Sequence, residues 1–96
     1  MAISFHWHGE KANSNLAKHG VSFQEAATVF GDPLAAIFPD EKHSISEIRE
    51  LIIGHSSKQR LLIVSFTERR TAIRIISARR ATRKERKNYE ERPDAE

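Results

Sequence analysis

TAIRIISARRATRKERKNY, residues 71–89, contains the change of period around which the rest of the chain is organised. Its first part alternates, with Ile73 and Ile75 on one face and Ala72, Arg74 and Ile76 on the other, the pattern of a strand. The apolar pattern stops at Ala78, and Arg79 and Arg80 follow at once. Thr82-Arg83-Lys84-Glu85 then has the S/T-x-x-E form of a capping box: the Thr82 hydroxyl accepts from the Glu85 amide while the Glu85 carboxylate reaches back. A strand is therefore expected to run straight into a helix, with guanidinium groups crowding the junction. Arginine suits phosphate there, because its planar fork donates two parallel hydrogen bonds and stays charged at any working pH. The same charges equally suit a solvated helix face.

Working back from residue 71, the preceding segments also have the period of strands. Leu61 to Thr67 is the most apolar run, and Glu68-Arg69-Arg70 is expected to turn the chain. Residues 47–53 alternate, Arg49, Leu51 and Ile53 against Ile48, Glu50 and Ile52, until Gly54 breaks the pattern; residues 55–59 read as a polar turn. Residues 34–38, between Pro33 and Pro39, suit an edge strand, and residues 40–46 a charged loop. Short turns between consecutive strands imply an antiparallel meander.

Further upstream the period is helical. Ser22-Phe23-Gln24-Glu25 repeats the capping-box form, Val21 before it suits a hydrophobic staple onto Ala26, and Phe23, Ala26, Ala27 and Phe30 share one helix face. Gly31-Asp32-Pro33 ends that helix. Residues 10–19 suit a polar helix with Ala12 and Leu16 as a thin apolar stripe, Lys11, Asn15, Lys18 and His19 on the remaining surface, and Gly20 as the left-handed residue that closes it. Ile3, Phe5 and Trp7 alternate as a short first strand. The order is β-α-α-β-β-β-β-α, an α+β domain spanning residues 1–96, with a helix hairpin on one sheet face and the other face partly open. The last helix, ended by Pro93, has almost no apolar content besides Tyr89; it either lies loosely on the sheet or is covered by a partner. Residues 94–96 are expected to fray.

Ninety-six residues suffice for one modest core and not for two. The absence of cysteine excludes disulfides and thiolate-bound zinc. MAISFHWHGEK lacks the apolar core and cleavage site of a signal peptide, and no apolar run spans a bilayer, so a cytoplasmic location and no membrane partner are expected. Net charge is +3, but it is unevenly placed. Residues 1–48 carry −3 and residues 49–96 carry +6, with ten arginines among the thirteen cations of the second half. Such a distribution favours a polyanion or an acidic protein as partner.

Arg49, Arg69, Arg74, Arg79 and Arg80 form the strongest candidate set, since strand ends of a meander converge on a common rim; surface salt bridges with Glu47, Glu50 and Glu68 are the bland alternative. Lys18-His19-Gly20 puts a cation and a proton carrier at a helix C-terminus, where a helix-capping histidine is the simpler account. Tyr89 either anchors the final helix or offers its hydroxyl to a substrate. Trp7 suits the core or rim more than a base-stacking platform. His6 and His8 share a strand face, but no third metal ligand is evident.

With these residues in view the chain resembles the BrnT family, the toxins of BrnT–BrnA type II toxin–antitoxin modules. The matching pieces are Trp7, Lys11 and Asn15, then KHGVSF (residues 18–23), EAATVFGDP (residues 25–33), Asp40, His43-Ser44, Glu47 and Arg49. LLIVSFTER (residues 61–69), RIISARRAT (residues 74–82), Glu85, Arg86 and Tyr89 complete them. One departure is His8, where the family commonly carries an acidic residue. The resemblance implies a RelE-like fold and a metal-independent endoribonuclease, without cofactor, that inhibits translation and arrests growth. It also implies neutralisation by a BrnA-like ribbon-helix-helix antitoxin, a heteromeric complex assembled through antitoxin dimerisation, and promoter DNA contacted only by the antitoxin. RNA cleavage of this kind uses the 2′-hydroxyl as nucleophile and leaves a 2′,3′-cyclic phosphate. Arg49, Arg69 and Arg79 are then expected to contact the scissile phosphate, and His19, Lys18 and Glu68 are the candidates for proton transfer. Arg74, Arg80, Tyr89 and Trp7 are the candidates for substrate positioning, Arg74 and Arg80 alternatively for antitoxin contact. The rival readings are a non-catalytic basic nucleic-acid-binding module, a folded relic of a toxin, and a structural partner whose basic helix wraps an acidic protein.

Overall fold

In the computed structural model, which describes residues 3–93, alternation and capping chemistry produce the expected order of elements. β1 (Ser4–His6) leads into α1 (Gly9–His19) and α2 (Phe23–Thr28), which tightens into a 3-10 turn over Val29–Gly31. β2 (Ala36–Pro39), β3 (Glu50–His55), β4 (Leu61–Arg69) and β5 (Ala72–Arg80) follow, and α3 (Arg83–Glu90) closes the chain. The expected fraying of residues 94–96 lies outside the described residues. The five strands form one sheet in the order β1-β5-β4-β3-β2. β2 to β5 are the antiparallel meander, and β1 joins the free edge of β5 in parallel.

Local chemistry explains the helix ends. Gly20 adopts φ 69°, and its N–H reaches the Leu16 carbonyl, the left-handed closure glycine permits without a Cβ clash. At α3 both halves of the capping box are made: Thr82 Oγ1 accepts from Glu85 N at 3.1 Å and Glu85 Oε1 accepts from Thr82 N at 2.8 Å. At α2 only half is made. Ser22 Oγ accepts from Glu25 N at 3.0 Å, but the Glu25 carboxylate turns away to Arg60 Nε (2.9 Å) and Ser56 Oγ (2.7 Å). A buried carboxylate needs charge-assisted partners more than the partly buried N-cap amide needs a carboxylate acceptor.

The core lies between the helix hairpin and one sheet face. Val21, Phe23, Ala26 and Val29 pack on Ile52, Leu62, Val64, Phe66, Ile75 and Ala78. The α1 stripe is rotated from the sequence expectation: Leu16 is largely exposed, and Asn15 is only 7% exposed. Its side-chain amide donates to the carbonyls of Val21 (3.0 Å) and Ala78 (2.8 Å) and accepts from Ala78 N (3.1 Å). One asparagine thus clamps α1 and the α1–α2 turn to β5. Gly54 does not break β3, which runs on to His55. Instead it permits close approach, since a Cβ there would lie 2.8 Å from Ala35 Cβ and 3.0 Å from Asp32 Oδ2.

On the opposite face α3 covers only one half. Tyr89 packs with Ile53, Leu61 and Ile63, and its hydroxyl donates to the Leu34 carbonyl at 3.0 Å. The Arg92 guanidinium stacks 4.1 Å above its ring. The helix is therefore anchored by its one aromatic residue. The other half of that face is open, and a bulge decides which side chains it receives. Ser65 pairs with Ser77, but Phe66 pairs with Ile75, so Ile76 has no opposite partner. Ile75 and Ala78, three apart, both enter the helix-side core. Strict alternation from Ile73 and Ile75 would carry Arg79 toward the helices; the extra residue sends it to the open face.

Candidate active site

Two adjoining clefts occupy the uncovered half of the sheet. The first, about 280 Å³, is lined by Asp40, His43, Arg49, Leu51, Ile63, Ser65, Ile76, Ser77 and Arg79. The second, about 330 Å³, is lined by Lys11, Ser14, Asn15, Lys18, His19, Arg49, Ile76 and Ser77. Arg49, Ile76 and Ser77 belong to both, so the two form one basic trough between α1 and the 40–49 loop. Four cations and two imidazoles face it against a single carboxylate, that of Asp40. An apolar floor with clustered cations above it suits a polyanion whose bases or sugars touch the floor.

Each functional side chain is placed by an identifiable local cause. The 40–49 loop is stitched at its neck, where Asp40 N donates to Arg49 O at 3.0 Å and Arg49 N donates to Ser44 Oγ at 2.9 Å. Ser44 Oγ donates in turn to Asp40 O at 2.7 Å. Arg49 therefore sits at the end of that loop, before the first residue of β3. Its Nε lies 3.4 Å from Glu47 Oε2, a weak contact, while Arg69 Nη2 lies 3.0 Å from Glu47 Oε1. Hydrogen bonding from Arg69, supported by Arg49 and opposed by desolvation, holds the Glu47 carboxyl below its usual range. Glu47 thus offsets the charge of two arginines at once.

Arg79 is fixed more firmly. Nη1 and Nη2 donate to Glu85 Oε1 and Oε2 at 2.8 and 2.9 Å, a fork-to-fork pair across the strand–helix junction. The guanidinium, helped by the Thr82 amide and opposed by burial, lowers the Glu85 carboxyl to about 2. The same pairing pushes the Arg79 guanidinium above its ordinary value. Glu85 therefore has two tasks, capping α3 and aiming Arg79 along the trough.

The sequence-based candidates divide. Arg49, Arg79, Lys18 and His19 come together in the trough. Arg69 stands beyond it, at the end of β4 and on Glu47, and the turn begins only at Arg70, with φ 57°. Glu68 is exposed and lines neither cleft; by alternation with buried Phe66 it points to the helix-bearing face. Arg74, opposite Thr67, and Arg80, opposite Leu62, also lie outside the two linings. Trp7 packs edge-on against Phe23, with ring centroids 5.9 Å apart, which places it against the core. Tyr89 is held by the Leu34 carbonyl on the far side of the Arg79–Glu85 pair. His6 ends β1 and His8 precedes α1, and among the described residues no three His, Asp or Glu side chains gather as metal ligands would.

The trough also contains groups that the sequence reading did not select: Lys11, Asp40 and His43. His43 Nδ1 lies 3.0 Å from Asp40 Oδ2 and 3.2 Å from Oδ1. All three are among the residues that carry the family resemblance, and Asp40 and His43 also stand at i, i+3, but neither signal places them until the loop is seen to fold over the cleft.

A family model described as the ribonuclease toxin BrnT of type II toxin–antitoxin systems matches residues 7–85. Among solved structures the chain is similar to the Brucella abortus ribonuclease toxin BrnT, determined at 1.1 Å resolution. The two are 25% identical, the match covers 85% of this chain and 100% of that one, and the TM-score is 0.67. No curated protein sequence matches the chain.

Proposed function

Because this chain belongs to the BrnT family of type II toxin–antitoxin ribonuclease toxins, we propose that it cuts RNA in the trough on its open sheet face, without a metal ion. One observation carries this reading: Arg49 is common to two clefts that bring Arg79 and His43 from one side and Lys11, Lys18 and His19 from the other.

RNA supplies its own nucleophile. Attack by the 2′-oxygen on the adjacent phosphorus needs a group to take the 2′-proton, positive charge for the phosphorane oxygens, and a proton for the departing 5′-oxygen. Arg49 meets the second need, its terminal NH₂ groups having no hydrogen-bond partner among the described residues. Arg79 contributes its field and the second N–H of Nη2, since Nη1 donates to both Glu85 and the Arg80 carbonyl. Lys11 and Lys18 hold flanking phosphates, which predicts strong salt dependence of binding. His19 takes the 2′-proton. Arg69, Arg74 and Arg80, outside the trough, extend the basic surface toward longer RNA or the antitoxin. The products are a 2′,3′-cyclic phosphate and a free 5′-hydroxyl.

In the cell this activity inhibits translation and arrests growth in the cytoplasm until a BrnA-like ribbon-helix-helix antitoxin neutralises it. That antitoxin dimerises, assembles the heteromeric complex and makes its promoter contacts. Among the described residues no helix is long and apolar enough to cross a membrane.

Induction in cells with and without the neighbouring antitoxin gene, following RNA integrity and growth together, tests the reading. Arrest with fragmented RNA is expected without the antitoxin, and relief is expected from Arg79→Ala or from restoring the antitoxin. Intact RNA during arrest, or undiminished toxicity of a folded Arg79→Ala variant, would contradict it. EDTA is expected to leave cleavage of purified RNA unchanged; abolition by chelation would contradict the metal-free mechanism.

A further inference from the structure

On the RNA-cleavage reading, we infer that His43 is the catalytic acid that protonates the leaving 5′-oxygen, and that Asp40 is its positioning residue. In-line displacement places the entering 2′-oxygen and the departing 5′-oxygen on opposite sides of phosphorus, so the group that takes a proton and the group that gives one must flank the phosphate. Two imidazoles meet that requirement. His19 lines the cleft against α1, His43 lines the cleft under the 40–49 loop, and Arg49 lines both. A phosphate on Arg49 thus lies between two rings.

The surroundings of the rings assign their roles. Both Asp40 oxygens lie within 3.2 Å of His43 Nδ1, so that nitrogen bears a hydrogen and Nε2 is directed away from the carboxylate. A ring that enters the reaction with both nitrogens protonated is matched in charge by Asp40. His19 shares its cleft with Lys11 and Lys18, and no carboxylate lines that part of the trough. The ring paired with a carboxylate is therefore assigned to give the proton, and the ring across Arg49 is left to take one.

The dyad is also held as a catalytic pair must be. The Asp40 side chain is 13% exposed and that of His43 58%, so the carboxylate is held while the imidazole reaches solvent. His43 N donates to Asp40 O at 3.2 Å, and the loop neck ties Asp40 to Arg49 through backbone and Ser44. Acid, its carboxylate and the phosphate-binding arginine are therefore tied to one hydrogen-bonded loop neck. The step balances: the 2′-hydroxyl proton passes to His19, the O2′–P bond forms as P–O5′ breaks, and the His43 Nε2 proton passes to O5′. Solvent exchange then restores both rings.

A sulfur-substituted substrate separates this role from others, because a 5′-thiolate leaves without protonation. Single-turnover cleavage of an RNA oligomer is compared with that of the same oligomer carrying sulfur at the scissile 5′ position. His43→Ala is expected to slow the oxygen-linked substrate about 10²–10⁴-fold and to cut the sulfur-linked one within a few-fold of the parent. Asp40→Asn is expected to show the same selective rescue with a smaller loss, and both variants are expected to melt like the parent. Equal slowing on both substrates, or no slowing on either, would overturn the assignment of His43 while leaving the nuclease reading intact. Failure of the parent to cut either substrate would remove the nuclease reading, and this inference with it.

Discussion

Glu85→Gln isolates the pair that fixes Arg79 and closes α3. The substitution keeps shape and one acceptor oxygen, so the Thr82 amide can remain satisfied while the ionic fork to Arg79 is lost. The folded-state carboxyl, at about 2 against an ordinary 4.5, is depressed, so the ionised form stabilises the fold. That contribution is complete above about pH 4.5 and lost as pH falls through about 2, with roughly 60% already gone by pH 3. Taken at face value, the displacement corresponds to about 3 kcal/mol. Glu85 is 32% and Arg79 43% exposed, however, and solvent screening reduces the expected cost to about 1–2 kcal/mol. In a domain of this size that lowers Tm by about 5–10 °C. Urea unfolding of parent, Glu85→Gln, Arg79→Ala and the double variant, from pH 7 to pH 3, measures it as a double-mutant cycle. A coupling energy near zero at pH 7, or one that is unchanged at pH 3, would refute the reasoning.

Three further outcomes follow from single contacts. Asn15→Ala leaves the Val21 carbonyl and both Ala78 backbone groups without their side-chain partner, and is expected to cost about 2–4 kcal/mol in chemical unfolding; a cost below 0.5 kcal/mol, roughly the level of a neutral surface change, would show that the clamp is replaceable. Gly54→Ala places a methyl group against Ala35 and Asp32 and is expected to destabilise by about 1–3 kcal/mol, whereas an unchanged melting temperature would mean that β3 and the 32–35 turn separate easily. Lys11→Ala with Lys18→Ala is expected to weaken binding of single-stranded RNA and to flatten its salt dependence by about 1.4 units of slope, read by fluorescence anisotropy at several salt concentrations; an unaltered slope would take the phosphate path away from α1.

What the sequence disclosed was what is local. The Thr82–Glu85 box, the Gly20 closure and the α2 face of Phe23, Ala26, Ala27 and Phe30 depend on neighbours within one or two turns, and all are found as expected. The β-α-α-β-β-β-β-α order followed from the same periodicities. What escaped depends on register between distant segments. No pattern in RIISARR announces that Ile76 is passed over by β4, yet that one skipped residue turns Arg79 into the trough. Asn15 reads as a surface residue until Ala78, sixty-three positions away, is brought beside it. Glu25 satisfies a capping-box pattern, but Arg60 and Ser56 arrive from the β3–β4 turn and take its carboxylate. The candidate site was half legible for the same reason. Arg49, Arg79, Lys18 and His19 were selected by residue type, whereas the strand face of Glu68 and the packing of Trp7 on Phe23 keep those two away from the trough.

Arg49 is the residue on which the whole account turns, because it alone among the charged groups belongs to both clefts. The most direct measurement is the single-turnover rate at which purified Arg49→Ala cleaves RNA, beside a melting curve of the same sample. Loss of its contact to the phosphorane is expected to slow cleavage by about 10²–10³-fold with the melting temperature of the parent. Cleavage within a few-fold of the parent by a fully folded variant would contradict the placement of the active site on the open sheet face.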